Sequence, residues 1–303
     1  VRSAADYARW GKEQGIPDEW LAEQVLVDAQ CAAGFANVDH RKMILIDGKR
    51  AFFGSQNLSD SYFYDHELSE DPRVNNKNWE WHDASSVVEG GCIAELNRVF
   101  CQRWTLSGGD VFDYTDKRYA PEPERKGEAT VAIVPTIPGG LEIPMSKNWW
   151  RFLISLFGPD LRPITTGQNA IRERLMQMPQ LATKDFYVEH CYPCDGQLLT
   201  HWVEHGRALD DFTMVVPHHY DTRLTGAECD RYYPELLAAG ARIMGYNRAI
   251  FHTKITVMDG WYTALGSYNA AVRSARADLE LELFIQCPEF GRAVREHIQA
   301  DAK

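Results

Sequence analysis

Six residues recur in this chain with one internal spacing. His40, Lys42, Asp47, Gly54, Ser55 and Asn57 form the first copy; His252, Lys254, Asp259, Gly266, Ser267 and Asn269 form the second, displaced by 212 positions. These side chains suit the cleavage of a phosphodiester. One imidazole attacks phosphorus to give a phosphohistidine. The other protonates the leaving alcohol and then deprotonates water or an acceptor alcohol. Lys and Asn side chains stabilise charge on the non-bridging oxygens of a five-coordinate phosphorus. The scheme needs two imidazoles in opposite protonation states, with coupled titrations. One copy of the pattern lacks the partner and two copies supply it. Two lysines and two asparagines suffice to neutralise the phosphate, so the reaction is expected to use no metal and no cofactor.

A single H-x-K-x4-D is ordinary structure on most chains; its duplication together with G-S-x-N marks a site. His and Lys two apart share one side of a strand. The runs Met43 to Ile46 and Ile255 to Met258 are mostly apolar and predict strands covered on both faces. Asp47-Gly48 and Asp259-Gly260 predict hairpin turns, so these aspartates are expected to form turns rather than meet the phosphate. A second strand follows each turn and ends in a Gly-Ser step, where a small residue permits close approach to a ligand. Each imidazole also needs a carboxylate to fix its tautomer. Glu280, on an alternating stretch after His252, is the expected partner in the second half. Asp83, in Trp81-His82-Asp83, is the expected counterpart in the first, after a polar insertion at 64 to 78.

At these motifs the chain resembles the phospholipase D superfamily, and its motif neighbourhoods look most like bacterial cardiolipin synthases and related phospholipases. The matching stretches are Asp39 to Lys42, Ile46 to Gly48, Trp81 to Asp83, Val257 to Gly260 and Gly266 to Asn269. The resemblance implies an α/β fold of two pseudo-twofold-related α/β/α sandwich halves with one active site at their interface. It implies catalytic roles for His40, Lys42, Asn57, His252, Lys254 and Asn269, and supporting ones for Ser55, Ser267, Asp83 and Glu280. It also implies His40 as the nucleophile. The implied substrate is a phospholipid, with water or an alcohol as acceptor.

The length of 303 residues allows two cores of about 130 residues each. The expected division is a first half at 1–104, a polar linker at 105–128 and a second half at 129–303. In the second half, strands are expected at Ala129 to Val134 (closed by Pro135 and Pro138), Phe186 to His190, Phe212 to Val216 and Ala241 to Tyr246. Helices are expected at Gly196 to Gly206 and ending at Glu235 to Ala239. The net charge of −11 and the absence of a basic stripe argue against a nucleic-acid partner. A nuclease of the same fold is the alternative reading, and a catalytically idle scaffold a more distant one. The odd count of seven cysteines does not read as a secreted disulfide framework. Cys191-Tyr192-Pro193-Cys194 lacks the partner motif of a zinc site.

The aromatic run Trp149 to Phe157 reads either as a buried helix or as a lipid-facing element. In the second reading Trp149, Trp150 and Phe152 would touch the membrane. Together with the resemblance, this predicts peripheral association on the cytoplasmic side of a membrane. Two helices, at Ala4 to Glu13 and Pro17 to Val27, are expected before the first motif. Repeat symmetry predicts roughly 80 to 100 further residues before Val1 in the natural polypeptide, since the first half has far fewer strands ahead of its histidine than the second.

Overall fold

The computed structural model describes residues 38–59, 80–107, 124–138, 167–221 and 223–303, with 11–16 and isolated positions elsewhere. Residues 11–14 are helical, within the first helix expected near the start. The expected helix at 17–27, the insertion at 64–78 and the aromatic run with Trp149, Trp150 and Phe152 lie outside the described residues.

The first motif copy opens a β-hairpin. Strands β1 (Lys42–Ile46) and β2 (Arg50–Gly54) pair antiparallel, with Ile44 opposite Phe52. Asp47 and Gly48 turn the chain with φ of 53° and 60°, the left-handed region that Asp and Gly tolerate best. After the short strand β3 (Trp81–His82), β4 (Ser85–Glu89) pairs with β2 and completes a three-stranded sheet. Helix α1 (Ile93–Leu106) closes the inner face of that sheet. Ala51, Phe53 and Val88 pack there with Ile93, Leu96 and Val99. The outer face is a correction to the sequence reading: Ile44, Ile46, Phe52 and Val87 are exposed. Strand β1 therefore lacks the double cover that its apolar composition predicts.

The second motif copy lies in an eight-stranded mixed sheet. Its members in chain order are β5 (Thr130–Pro138), β6 (Gly167–Gln168), β7 (Asp185–His190), β8 (Asp211–Pro217), β9 (Arg242–Tyr246), β11 (Lys254–Met258), β12 (Tyr262–Gly266) and β13 (Glu280–Gln286). The spatial order is β6-β5-β13-β12-β11-β7-β8-β9. Strands β7, β8 and β9 run parallel through helical crossovers. Helix α2 (Ala170–Leu181) precedes β7, α3 (Gly196–Gly206) follows it, and α4 (Arg223–Asp230) and α5 (Tyr233–Ala238) lie between β8 and β9. The two-residue strand β10 (Ile250–Phe251) leads into β11. A short α6 (Val272–Arg276) separates β12 from β13, and α7 (Pro288–Asp301) ends the fold.

Strand β5 runs through Pro135 and on to Pro138, past the residue expected to close it. Its partners explain the extension: Pro135 lies opposite Leu281 of β13, and Pro138 opposite Gly167 of the very short β6. Helix α3 begins where Asp195 accepts the backbone N–H groups of Gln197 and Leu198, each at 3.1 Å, an N-cap. The guanidinium of Arg172, on α2, grips the same carboxylate at 2.6 and 2.8 Å.

Three apolar clusters hold these layers. One packs α2 and α3 on the large sheet through Leu175, Phe186, Val188, Leu198, Trp202 and Phe284. A second joins the opposite face to α7 through Tyr187, Val257, Leu265 and Ile298. The third joins the two sheets, because Leu281, Leu283 and Ile285 of β13 share the cluster of Phe53, Ile93 and Leu96. The sheets that carry the two motif copies are thus fixed to each other by apolar burial, which orients whatever lies between them.

Candidate active site

Two reciprocal backbone bridges bring the motif copies together. Val38 to His40 run alongside Leu279: the N–H of His40 donates to Leu279 O at 3.0 Å, and that of Leu279 to Val38 O at 2.9 Å. In the mirror position β10 pairs parallel with β3. There the N–H of Ile250 donates to Glu80 O at 2.9 Å and that of His252 to His82 O at 2.8 Å. Each histidine therefore enters beside the strand of the opposite half that carries an acid.

The consequence is an exchange of carboxylates. His40 Nδ1 lies 3.1 and 3.0 Å from the two oxygens of Glu280, and 3.0 Å from Ser267 O. His252 Nδ1 lies 2.7 Å from Asp83 Oδ2. The assignment of Glu280 to His252 and of Asp83 to His40 is corrected: each acid serves the histidine of the other half. The reason is the geometry of the bridges. Within one half, the strand that carries the histidine motif and the strand that carries the acid are separated by β2 or β12, whereas the neighbouring half lays its acid directly against the incoming histidine.

The motif serines hold those acids. Ser55 Oγ contacts Asp83 Oδ1 and donates to Ala84 O at 3.1 Å. Ser267 Oγ donates to Glu280 Oε2 at 2.5 Å, and Ser274 Oγ to Glu280 Oε1 at 2.6 Å. The glycines before the serines are needed for the same closeness. A Cβ at Gly54 would strike the carbonyl of Ala84, and one at Gly266 that of Leu281. The intimate approach they permit is to the acid-bearing strand, not to a ligand.

The lysines repeat one another. Lys42 Nζ donates to His40 O at 2.6 Å and Lys254 Nζ to His252 O at 2.8 Å. Lys254 Nζ also lies 3.2 Å from His252 Nε2, next to the ring nitrogen left free by Asp83. Asn57 Nδ2 donates to Tyr62 Oη at 2.8 Å, and that hydroxyl lies 3.3 Å from His252 Nδ1. Asn269 Oδ1 accepts from the thiol of Cys191 at 3.3 Å. The aspartates of the motif lie apart from this group. Asp47 is exposed in its turn. Asp259 accepts the backbone N–H groups of Thr183, Lys184 and Asp185 and the hydroxyl of Thr183, which ties its turn (φ 50°) to the start of β7.

Burial differs sharply across the site. Lys254, Ser267 and Glu280 are fully buried and His252 nearly so, whereas His40 is half-buried. Burial, reinforced by the charge of Lys254, pushes the His252 imidazole down to about 4, against the pull of Asp83. Burial also works to raise Asp83, but the hydrogen bond from His252 and the charge of Lys254 win and hold its carboxyl below the usual range. A neutral His252 that donates Nδ1–H to an ionised Asp83 satisfies both. Burial pushes Lys42 down to about 8; Glu280 opposes this and Lys254 adds to it.

Sequence reasoning missed Tyr62, Ser274, Cys191 and the ring of Trp81, which lies 5.3 Å from that of His252. Tyr62 and Ser274 stand at the same offset, 22 residues after His40 and His252, but differ in residue type, so a search for repeated identities passes over them. Cys191 and Cys194 are free thiols.

Residues 182–302, which contain the second motif copy, match the family model described as "Cardiolipin synthase, PLD-like domain". The chain is similar to cardiolipin synthase A of Pectobacterium carotovorum, 27% identical over 260 residues, which is 83% of this chain and 45% of the relative. It is also similar to the probable cardiolipin synthase YwiE of Bacillus subtilis, 23% identical over 264 residues, 87% of this chain and 45% of the relative. The chain thus spans about half the length of the curated relatives it matches. Among solved structures it resembles phosphatidylserine synthase of Haemophilus influenzae, with a TM-score of 0.50, 12% identity, and 86% of this chain and 61% of that one covered. This likeness shows the phospholipase D-like fold.

Proposed function

We propose that this chain carries the catalytic centre of a phospholipase D-type phosphatidyltransferase that acts on phospholipids through a phosphohistidine. The observation that supports it best is the crossed pair of His–carboxylate contacts, which gives one site two imidazoles in unlike surroundings. The cardiolipin synthases among its relatives point to phosphatidylglycerol as the substrate to try first.

The unlike surroundings support a division of roles. His252 is neutral above about pH 4 and presents Nε2 as a lone-pair donor, while Asp83 holds its Nδ1–H. It therefore takes the part of nucleophile, in place of His40. The Nε2 of His252 attacks phosphorus and the bond to the leaving alcohol oxygen breaks. His40, protonated and steadied by Glu280, gives that oxygen its proton. In the second half-reaction the now neutral His40 takes a proton from an acceptor hydroxyl. Its oxygen attacks the phosphohistidine, and the P–N bond breaks. Lys42 and Lys254 offset the charge of the non-bridging oxygens, with Asn57 and Asn269 beside them. Water as acceptor gives hydrolysis; glycerol or a second lipid alcohol gives transfer. Residues 1–104 and 129–303 are the two halves proposed to build this site.

One substrate panel tests the proposal. Purified protein is supplied with phosphatidylglycerol, with phosphatidylcholine and with supercoiled plasmid, and the products are identified by mass. Cardiolipin or phosphatidic acid without plasmid nicking is the expected result, and acid-labile, base-stable label should be trapped on His252. Nicking without lipid turnover would replace this reading with that of a nuclease; no turnover of either would leave an idle scaffold. No helix among the described residues is long and apolar enough to cross a membrane, so contact with lipid is proposed to be peripheral.

A further inference from the structure

Behind the β3–β10 bridge, four side chains from three separate elements converge: His82 of β3, Glu189 of β7, and His297 and Asp301 of α7. Their donor atoms all lie within 4.8 Å of one another. His82 Nε2 lies 2.8 Å from Asp301 Oδ2, and His297 Nε2 lies 3.3 Å from the same oxygen. The other oxygen of Asp301 accepts from Arg248 at 3.1 Å. His297 Nε2 is 3.8 Å from Glu189 Oε2. We propose that His82, Glu189, His297 and Asp301 form a binding site for one divalent transition-metal ion of the zinc type, which holds β3 against the second half.

Glu189 carries the argument. Its side chain has no exposure, and neither carboxylate oxygen makes a hydrogen bond of ordinary length, with Asp301, Thr253 and His297 as its polar neighbours. A carboxylate buried without a good hydrogen bond is costly to keep ionised, and a cation beside it removes that cost. Here it points at two imidazoles and a second acid, a two-nitrogen, two-oxygen donor set that suits zinc and its neighbours. Bonds of about 2.0–2.2 Å in a tetrahedron separate the donors by roughly 3.3–3.6 Å, so the 2.8 Å contact of His82 with Asp301 must open and the wider pairs must close around the ion. Half of His297 is open to solvent, which gives the ion a way in. The His82 ring stacks with the rings of Tyr246, Phe251 and His297 at interplanar angles of 24°, 15° and 15°, which limits its rotation.

None of the four ligands is among the groups assigned to phosphorus chemistry. The role is positional. The carbonyl of His82 receives the N–H of His252, and the next residue is Asp83, the acid on that same histidine. An ion on His82 fixes the strand that orients His252. A second group, His201, Glu204 and His205 on α3, has comparable spacing but no fully buried member, and serves as the control.

The test uses the full chain stripped of metal by chelation, titrated with Zn²⁺ by calorimetry and with Co²⁺ by visible absorption. One equivalent should bind, raise Tm and give the Co²⁺ spectrum of a four-coordinate site. His297→Ala, at a half-exposed position that folding tolerates, and the near-isosteric Glu189→Gln should each weaken binding at least about tenfold. His201→Ala/His205→Ala should leave it intact. Absence of saturable binding, or binding that survives both Glu189→Gln and His297→Ala, overturns the proposal; so does binding lost only in the α3 control.

Discussion

The two copies of the motif have the same hairpin, the same left-handed Asp-Gly turn and the same Gly-Ser step, yet they occupy unlike surroundings. In the second half the cross-strand row Thr256, Ala264 and Phe284 is 0%, 0% and 1% exposed, roofed by α2 and α3, and β11 is flanked by β7. In the first half the row in the same register, Ile44, Phe52 and Val87, is 41%, 41% and 58% exposed. Among the described residues β1 has no second neighbour in its sheet. Both copies share the hairpin, the acid-bearing segment and a bridge to the other half, so the geometry of the candidate site does not depend on equal cover of the sheet beyond the hairpin. The difference in cover also sets the chemistry apart: the deeply covered half holds the buried, neutral His252, the open half the more accessible His40.

The equivalence of the histidines is the first point to attack. His40→Ala and His252→Ala should each lower kcat on phosphatidylglycerol by about 10³-fold or more, since attack and proton transfer occur in one cycle. A single variant within tenfold of the parent would break the shared site. The exchange of acids comes next. Asp83→Asn and Glu280→Gln should each cost about 10²-fold or more in kcat by releasing the imidazole tautomer. Nitrogen-15 imidazole spectra distinguish the partners: Asp83→Asn should move the His252 resonances and spare those of His40. The reverse would restore pairing within each half.

The stability contrast can be measured on the matched rows. Phe284→Ala should destabilise the fold by about 3–5 kcal/mol in urea titrations, the cost of emptying a packed core position. Val87→Ala, at the same register in the first sheet, should cost under about 1 kcal/mol. Equal losses would mean that the outer face of the first sheet is covered in solution. The smallest effect concerns Lys42. Its charge is present below about pH 8 and lost above, so kcat/KM should fall on the alkaline side of that value, about tenfold per pH unit. Lys42→Arg should remove this limb, and a limb that persists would belong to another group.

Much of this was legible from residue spacing. Helix α3 lies at Gly196–Gly206 as the pattern predicts, and β7, β8 and β9 fall within a residue of their expected bounds. What spacing does not carry is which strand of the other repeat lies beside a histidine. Glu280 is nearer in sequence to His252, and only the 38–40 and 250–252 bridges make it the neighbour of His40. Nor does apolar composition count covering layers. Met43 to Ile46 and Ile255 to Met258 read alike, but their neighbours come from distant segments. Tyr62 and Ser274 share one repeat position, but a phenol in one copy and a hydroxymethyl in the other leave no repeated identity to see.

The exchanged acids also have a consequence in time. A ribosome delivers the first half with its His40 intact but without Glu280, and the second half reaches its own His252 before Asp83 is docked against it. Each imidazole gains its orienting acid only when its own bridge between the halves closes. On the proposed function, the reactive groups are thus armed only as the two halves come together.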